Sequence, residues 1–316
     1  MVHTTSLRVE VPFLMRQRMN SVHKSGSSFG EVLWDDFPSG KVLGGAPLNI
    51  LIRLGGLGAE CSIISRKGND EYGEQLLSLI EAKNVAVDLI QTDDEHATSL
   101  VKVILQPDGS ASYDIVYPCA WDKITVTEEA LNRVAESDAF VFGSLSTRDP
   151  VSRATLSELL PAARFRIFDV NLRKPHYDTE RVRELMKQAD LVKLNDDELY
   201  ELAEAFGSPY RGLEQNMRYL AEHTDTPHFC VTLGAHGAMY LNGGRIHAHH
   251  GYRVKVADTV GSGDSFLAGF IFKLLSGSPP EEILAFACAM GALNASLHGA
   301  TPDLPYDGIM QLVRQQ

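Results

Sequence analysis

Short, compact, mainly apolar runs alternate with amphipathic stretches along most of the chain, and this rhythm limits the fold more than any other feature. The runs are Cys61–Ser65, Ala139–Phe142, Phe165–Asp169, Leu191–Leu194 and Phe229–Thr232. Each is mostly apolar without a strict alternation, which suits parallel strands covered on both faces. Between them, Tyr72–Lys83 carries Leu76, Leu77 and Ile80 at the spacing of one helix face. Val151–Ala163, Thr179–Ala189 and Asp196–Phe206 read as further helices. Repeated βα units predict an α/β chain with a mostly parallel sheet between two helical layers. Ligands on such sheets bind beyond the carboxyl ends of the strands. The residues to inspect are therefore Gly143-Ser144, Asn171 with Arg173, Asn195 with Glu198, Gly234, and 261–264.

Thr98–Tyr117 breaks the rhythm. Val101, Val103 and Leu105 alternate with polar residues, Pro107-Asp108-Gly109-Ser110 supplies a turn, and Tyr113, Ile115 and Tyr117 resume the alternation. This predicts a β-hairpin with no helix between its strands, suited to a flap or a dimer surface.

The 316 residues are 44% hydrophobic, enough for one large α/β domain or two smaller ones and incompatible with general disorder. A net charge of −12 argues against a nucleic-acid partner, although a local site could still take an anion. No apolar run reaches the ~18 residues of a membrane span. Cys61, Cys119, Cys230 and Cys288 lie far apart without a CxxC pair, which predicts reduced, mostly buried thiols in a cytoplasmic protein. Residues 1–28 read as a leader, and the domain is expected over 29–316.

The most informative stretch is Asp258-Thr-Val-Gly-Ser-Gly-Asp-Ser-Phe-Leu-Ala-Gly-Phe270, after a strand candidate at Tyr252–Val256. Gly261 and Gly263 permit a tight turn and present N–H groups at a helix start, an anion site suited to phosphate. A negative charge beside such a site, Asp264, has a purpose if it takes a proton from an attacking hydroxyl. A helix-capping carboxylate is the plain alternative. A dinucleotide fingerprint is weakened by Phe266 at the third glycine position, and no GxxxxGK[ST] is present.

Gly44-Gly45-Ala46-Pro47-Leu48-Asn49 precedes a helix. Its glycines allow close approach to a small polyol, and Asn49 offers a donor and an acceptor. Asp35, ending Gly30-Glu31-Val32-Leu33-Trp34-Asp35, could grip two sugar hydroxyls or be a solvated loop charge. Asn195 and Glu198 have capping-box spacing and could also hold waters around Mg²⁺. Thr232-Leu-Gly-Ala-His-Gly237 is a turn able to admit a nucleotide, or a plain hairpin. His247, His249 and His250 lack the partners of a metal site, Ser144 and Ser265 lack an adjacent His–Asp pair, and Trp121 suits ligand stacking or lid packing equally.

Taken together and in this order, these residues resemble the ribokinase-like (PfkB) family of sugar kinases. The likeness runs roughly from Phe29 to Pro305 and rests on Gly44–Gly73 and on Asp258–Phe270. GEVLWD at 30–35, GGAPLN at 44–49, AWD at 120–122, FGSL at 142–145 with Arg148, and DVNLR at 169–173 resemble the fructokinase branch. The resemblance implies a three-layer α/β/α, Rossmann-like fold with a small β-sheet lid, drawn from about 31–45 and 92–120. It makes Asp264 the catalytic base and Gly261, Ser262 and Gly263 the anion hole. Asp35, Gly45, Asn49, Asn171 and Arg173 would hold the sugar. Lys193, Thr232, Gly234 and Gly237 would border ATP, with Asn294 beside the adenine. Asn195 and Glu198 would organise Mg²⁺ through water, and Asp258 and Thr259 match positions used for K⁺.

One stretch departs from the family: a hydrophobic first strand is usual, whereas this chain reads His23-Lys-Ser-Gly-Ser-Ser28. Strand one is therefore expected to be short, from Phe29, unless the leader replaces native residues. The expected activity is ATP-dependent phosphorylation of a small sugar at a primary hydroxyl, D-fructose first. The alternatives are 2-keto-3-deoxygluconate, ribose or a nucleoside as acceptor, a silent sugar-binding scaffold, and, more distantly, a nicotinamide oxidoreductase. A homodimer through the lid is the expected assembly, with no membrane partner.

Overall fold

A computed structural model describes residues 24–37, 40–105 and 111–315. Its strands, in chain order, are β1 (Ser25–Phe29), β2 (Leu33–Phe37), β3 (Gly40–Gly44), β4 (Glu60–Gly68), β5 (Val85–Ala86), β6 (Ile90–Asp93), β7 (Ser99–Leu105), β8 (Ala111–Ile115), β9 (Ala139–Gly143), β10 (Arg166–Asp169), β11 (Leu191–Asn195), β12 (His228–Thr232), β13 (Ala238–Asn242) and β14 (Arg245–His249). The α-helices are α1 (Ala46–Gly56), α2 (Glu71–Ala82), α3 (Glu128–Glu136), α4 (Pro150–Leu159), α5 (Thr179–Lys187), α6 (Asp196–Ala205), α7 (Leu213–Thr224), α8 (Ser262–Leu275), α9 (Pro280–Ala295) and α10 (Tyr306–Val313).

The large sheet has the order β14-β13-β12-β11-β10-β9-β1-β4-β5, with β6 also paired to β4. From β12 through β5 the pairings are parallel, and β13 and β14 add an antiparallel edge. Successive residues of one strand feed opposite layers, as the pleat requires. Phe140, Phe142 and Phe168 pack with Leu156, Leu202 and Leu220 of α4, α6 and α7. Val141 and Ile167 face Leu51, Leu267 and Leu284 of α1, α8 and α9. Phe142 and Phe168 stack with centroids 5.2 Å apart, and each buried ring of this size contributes about 1.5–3 kcal/mol. The four cysteines are free and buried, as expected.

The first strand corrects the sequence reading. It starts at Ser25, not Phe29, and lies at the centre of the sheet between β4 and β9. Its small residues answer a packing demand: a Cβ on Gly26 would meet Leu54 Cδ2 of α1 at 2.7 Å. The Ser28 hydroxyl donates to the Pro47 carbonyl at 3.2 Å, and the Ser25 amide donates to Asp138 at 3.0 Å. Tertiary position thus overrides the low strand preference of Ser and Gly. Residues 25–28 therefore belong to the domain, while residues 1–23 lie outside the described residues.

Two other boundaries differ. The helix predicted at Val151–Ala163 stops being α-helical at Leu159 and ends in a 3₁₀ turn over Leu160–Ala162, where Pro161 cannot donate to the helical ladder. Tyr252–Val256 forms no strand. Its alternation is not a core pattern, since Val256 is 57% exposed.

The second sheet has the order β3-β2-β7-β8. The hairpin predicted over Thr98–Tyr117 is β7 and β8, antiparallel with Val101 opposite Ile115. Its expected turn, 107–110, lies outside the described residues. β2 pairs with β7 in parallel and β3 pairs with β2 in antiparallel fashion, so the segment carrying Asp35 belongs to the small sheet. Trp121 is packing, not a ligand platform: it is fully buried, with the Arg148 guanidinium 4.1 Å from its ring centroid. Arg148 in turn grips the buried Asp122 carboxylate through two bonds of 2.7 and 2.8 Å.

Candidate active site

The carboxyl ends of β1, β9, β10, β11 and β12 open toward the N-terminus of α8, and the small sheet contributes Asp35 from the other side. α8 begins behind Gly261, whose φ of +73° is left-handed and whose added Cβ would lie 2.3 Å from the Ala300 carbonyl oxygen. Only glycine meets both conditions. The Ser262 amide donates to the Thr259 carbonyl at 3.2 Å, and the Ser265 amide to Gly261 at 2.9 Å. The Gly263 and Asp264 amides therefore sit at the open end of the helix, where N–H groups lack a preceding turn. Of the three expected cradle residues, Ser262 has its backbone N–H already engaged.

Asp264 stands in this first turn, partly buried, and accepts a 2.9 Å hydrogen bond from Asn49 Nδ2 of α1. Beneath it, Lys193 of β11 and Asp169 of β10 are direct neighbours across the parallel ladder and form a buried ion pair, Nζ–Oδ1 2.9 Å. Lys193 Nζ also lies 3.3 Å from where a Gly263 Cβ would be, so a larger residue there would press on the ammonium. The expected ATP residue Lys193 is thus on the floor of the cleft, facing the cradle from below.

The electrostatics are those of acids crowded into one recess. Burial, then the charge of Asp169, pushes the Asp264 carboxyl up to about 6, against the pull of Lys193, Asn49 and Arg173. Asp35 is pushed up to about 6 by burial, with Arg173 opposing and Asp264 adding. Glu31 is pushed up to about 7 by burial, despite backbone N–H groups of Glu31 and Ala46 and the charge of Arg173. Burial opposes the charge on Lys193, but Asp169, Glu198 and Asp264 overcome it and raise its pKa.

Four buried polar atoms in this recess have no protein partner: Asn49 Oδ1, Asp169 Oδ2, Glu31 Oε2 and Ser262 Oγ. Buried polar groups are normally paired, so a cluster of orphans fits a polyhydroxylated ligand that would complete them. Glu31 and Asp169 share one small cavity with Asn171 and Gly143. Asn171 has φ +40°, a conformation uncommon outside glycine. Glu31 escaped the list of candidates. Its signal was a carboxylate immediately after the first strand, within GEVLWD.

The paired glycines have separate purposes. A Cβ on Gly44 would collide with Asp35 Oδ2 at 2.3 Å, and one on Gly45, at φ +114°, with the Glu31 carbonyl oxygen at 2.4 Å. They hold the two acids against the start of α1. Thr232 ends β12, and Gly234 has open space about its Cα, while Gly237 is required by the 249–251 backbone, 1.9 Å from an added Cβ.

Asn294 is fully buried, with its amide donating to the Val260 carbonyl at 2.8 Å and its oxygen accepting from Ser265 at 3.0 Å and from Arg53. These bonds make it a strut behind the cradle. Asn195 and Glu198 form the expected capping box, and Glu198 also accepts from the Leu172 amide at 2.7 Å. Asp258 accepts from the Val260 and Gly299 amides, both at 3.0 Å, and Thr259 is exposed. His247 pairs with Glu281 at 2.8 Å. Among the described residues no group of three or more His, Cys, Asp or Glu could hold a metal ion.

With this geometry in view, similarity to known proteins is decisive. Residues 23–307 match the pfkB family of carbohydrate kinases. The chain belongs to that family. It is a sugar kinase, a phosphotransferase of carbohydrates. Fructokinase-2 of Solanum habrochaites is 29% identical over 318 residues, covering 91% of this chain and 95% of that protein. A fructokinase from Xylella fastidiosa with bound ATP superposes with a TM-score of 0.79 at 23% identity, over 92% of this chain and 98% of the other. A double-mutant fructokinase from Vibrio cholerae O395, with fructose, ADP and potassium bound, gives a TM-score of 0.79 at 22% identity over 92% and 98%. These two structures share the ribokinase-like fold seen here: a mostly parallel sheet with a separate small one. Among the described residues no helix is long and apolar enough to cross a membrane.

Proposed function

We propose that this pfkB kinase transfers the γ-phosphoryl group of ATP to a primary hydroxyl of D-fructose, with Asp264 as general base. The observation that carries the reading is the Asp264 carboxylate at the open end of α8, tied to Asn49 and set above the Lys193–Asp169 pair. The sugar would complete the unpaired atoms of Asn49, Asp169 and Glu31, with Asp35, Gly45, Asn171 and Arg173 around it. Asp264 accepts the hydroxyl proton as the sugar oxygen bonds to the γ-phosphorus, and the bond from phosphorus to the β,γ-bridging oxygen breaks, leaving ADP with the electron pair. The Gly263 and Asp264 amides and the Lys193 ammonium offset the charge on the transferred group. Thr232, Gly234 and Gly237 border the nucleotide.

Magnesium, carried in on the nucleotide phosphates, would add counter-charge there. Glu198 and Asn195 would hold such an ion through its waters, using the remaining lone pairs of oxygens that already accept from the Leu172, Asn195 and Glu198 amides. The small sheet would close over the sugar and keep water from the γ-phosphorus. A homodimer through that sheet belongs to the same reading, because β3 and β8 are its edge strands among the described residues. So does a cytoplasmic location.

The test is a panel of acceptors assayed for ADP release with ATP and Mg²⁺. D-fructose is expected to give the highest kcat/KM. A higher value for 2-keto-3-deoxygluconate, ribose or a nucleoside would move the assignment to that acceptor, and sugar-independent silence would leave a binding scaffold. A pH profile is a second check. With Asp264 and Asp35 titrating near 6, kcat/KM is expected to fall on acidification below about pH 6, because the base must be ionised to accept a proton. A profile flat to pH 4.5 would remove Asp264 from proton transfer.

A further inference from the structure

Arg53 sits in the last turn of α1, 6% exposed, one helical turn beyond Asn49 and on the same face. Its guanidinium has four acceptors, all uncharged: Nε donates to Ser265 Oγ at 2.9 Å, Nη2 to the Ala300 carbonyl at 3.2 Å and to Asn294 Oδ1, and Nη1 to the Pro302 carbonyl. No ion pair holds it among the described residues. A buried cation without a bonded carboxylate is costly to keep, so its position calls for an electrostatic purpose.

Its acceptors all lie on the wall of the phosphoryl cradle. Ser265 is in the first turn of α8, one residue past Asp264, and its amide closes the turn onto Gly261. Ser265 also donates to Asn294, which in turn holds the Val260 carbonyl immediately before Gly261. Ala300 is the residue against which Gly261 packs. One guanidinium thereby fastens α1, the start of α8 and the 294–302 segment to each other around the glycine turn. The residues matched to a potassium site offer less. Both carboxylate oxygens of Asp258 are already hydrogen-bonded to backbone amides, the Val260 carbonyl is held by Asn294, and Thr259 is exposed. Neither Asp258 nor Thr259 has a buried side-chain oxygen left unpaired.

We propose that Arg53 is the resident cation of the anion cradle, a positioning residue that holds the Gly261–Asp264 turn in shape and charge and makes phosphoryl transfer independent of a bound monovalent cation. The proposal rests on the phosphoryl-transfer reading of that turn. The charges facing Arg53 are Asp264 and Asp303, and burial lowers its own pKa to about 10, so it stays protonated at neutral pH. Asp264 is faced by Asp169, Lys193 and Arg173, and by Glu31 and Asp35 on which it acts.

The test combines turnover with binding. Wild-type protein is assayed in N-methylglucamine buffer with and without 100 mM KCl, and ADP·Mg²⁺ affinity is measured by calorimetry in the same buffers. Turnover and affinity are both expected to change less than about twofold. A tenfold gain in either on adding potassium would overturn the proposal. Arg53→Met is expected to lower kcat at least tenfold, with the sugar KM within about threefold, and to move the acid limb of kcat/KM to higher pH. A merely structural role would lower the melting temperature and leave that limb in place. Arg53→Lys, which keeps the charge, is expected to keep the limb and most of the turnover. A folded Arg53→Met protein with wild-type kcat and pH profile would overturn the proposal. If Arg53→Met does not fold, the wild-type cation arms and Arg53→Lys decide it. Absence of turnover on every sugar would instead count against the phosphoryl-transfer reading, with the calorimetric arm still deciding the cation question.

Discussion

Asp264→Asn is expected to reduce kcat by ~10²-fold or more while the KM for sugar moves only a few-fold, measured by ADP release at pH 7.5. The substitution keeps the shape of the side chain and an oxygen for the 2.9 Å bond from Asn49, but removes the group that takes the proton. It is not expected to unfold the protein. The Asp264 carboxyl is pushed from 3.8 to about 6 by burial and by Asp169, so above that pH the native state holds an ionised acid that the unfolded chain would carry at less cost. Replacing it with a neutral amide removes this burden, and the variant's melting temperature at pH 7.5 should equal or exceed that of the parent. At pH 4, where the unfolded chain also protonates the acid, the difference should shrink. A fully folded variant that turned over sugar near the native rate would eliminate Asp264 as the base. One that lost activity together with its fold would show that the carboxylate is structural.

The sheet and its covering helices were legible because parallel strands buried on both faces must be apolar at successive positions. Ala139–Gly143 shows this directly. β1 was illegible for the opposite reason: Ser25–Phe29 is small and polar because α1 lies close against it, a condition set by residues at 47–54. Local sequence has no access to that distance. The Asp264 turn was legible from its glycines, whose need for positive φ or close approach is a property of the residue type itself. The Lys193–Asp169 pair was half legible. Asp169 ends β10 and Lys193 lies in the middle of β11, and only the register between the two strands makes them neighbours. The hydrogen bonds of Asn294 were illegible because an asparagine in an apolar helix can face a ligand or a carbonyl, and nothing local distinguishes the two. Arg53 had a signal that went unread: with Asn49 it forms a polar stripe, four residues apart, on a helix otherwise lined by Leu and Ile.

Lys193→Met tests how far that recess depends on one buried cation. Met keeps the length and apolar bulk of the side chain while deleting the ammonium, so Asp169, 2% exposed, would be left facing Asp264 and Glu198 without a counter-charge. Breaking a buried pair from one side costs about 3–5 kcal/mol, which for a domain of this size corresponds to a fall in melting temperature of roughly 6–10 °C. The loss should depend on pH. Lys193 lowers the pKa of both Glu198 and Asp264, so without it their folded-state values rise further above the unfolded ones. Extra protons bound by the folded state are released as pH rises, so the variant loses more stability at pH 8 than at pH 5.5. Turnover should fall as well, with the acid limb displaced upward, because the base becomes harder to ionise and the cradle loses a charge. The double variant Lys193→Met with Asp169→Asn removes both partners, and most of the lost melting temperature should return without the activity. Recovery of both would mean that the pair only fills space. Recovery of neither would mean that Lys193 supports the fold through contacts other than Asp169, a result that calorimetric melting of the two single variants and the double variant at both pH values separates directly.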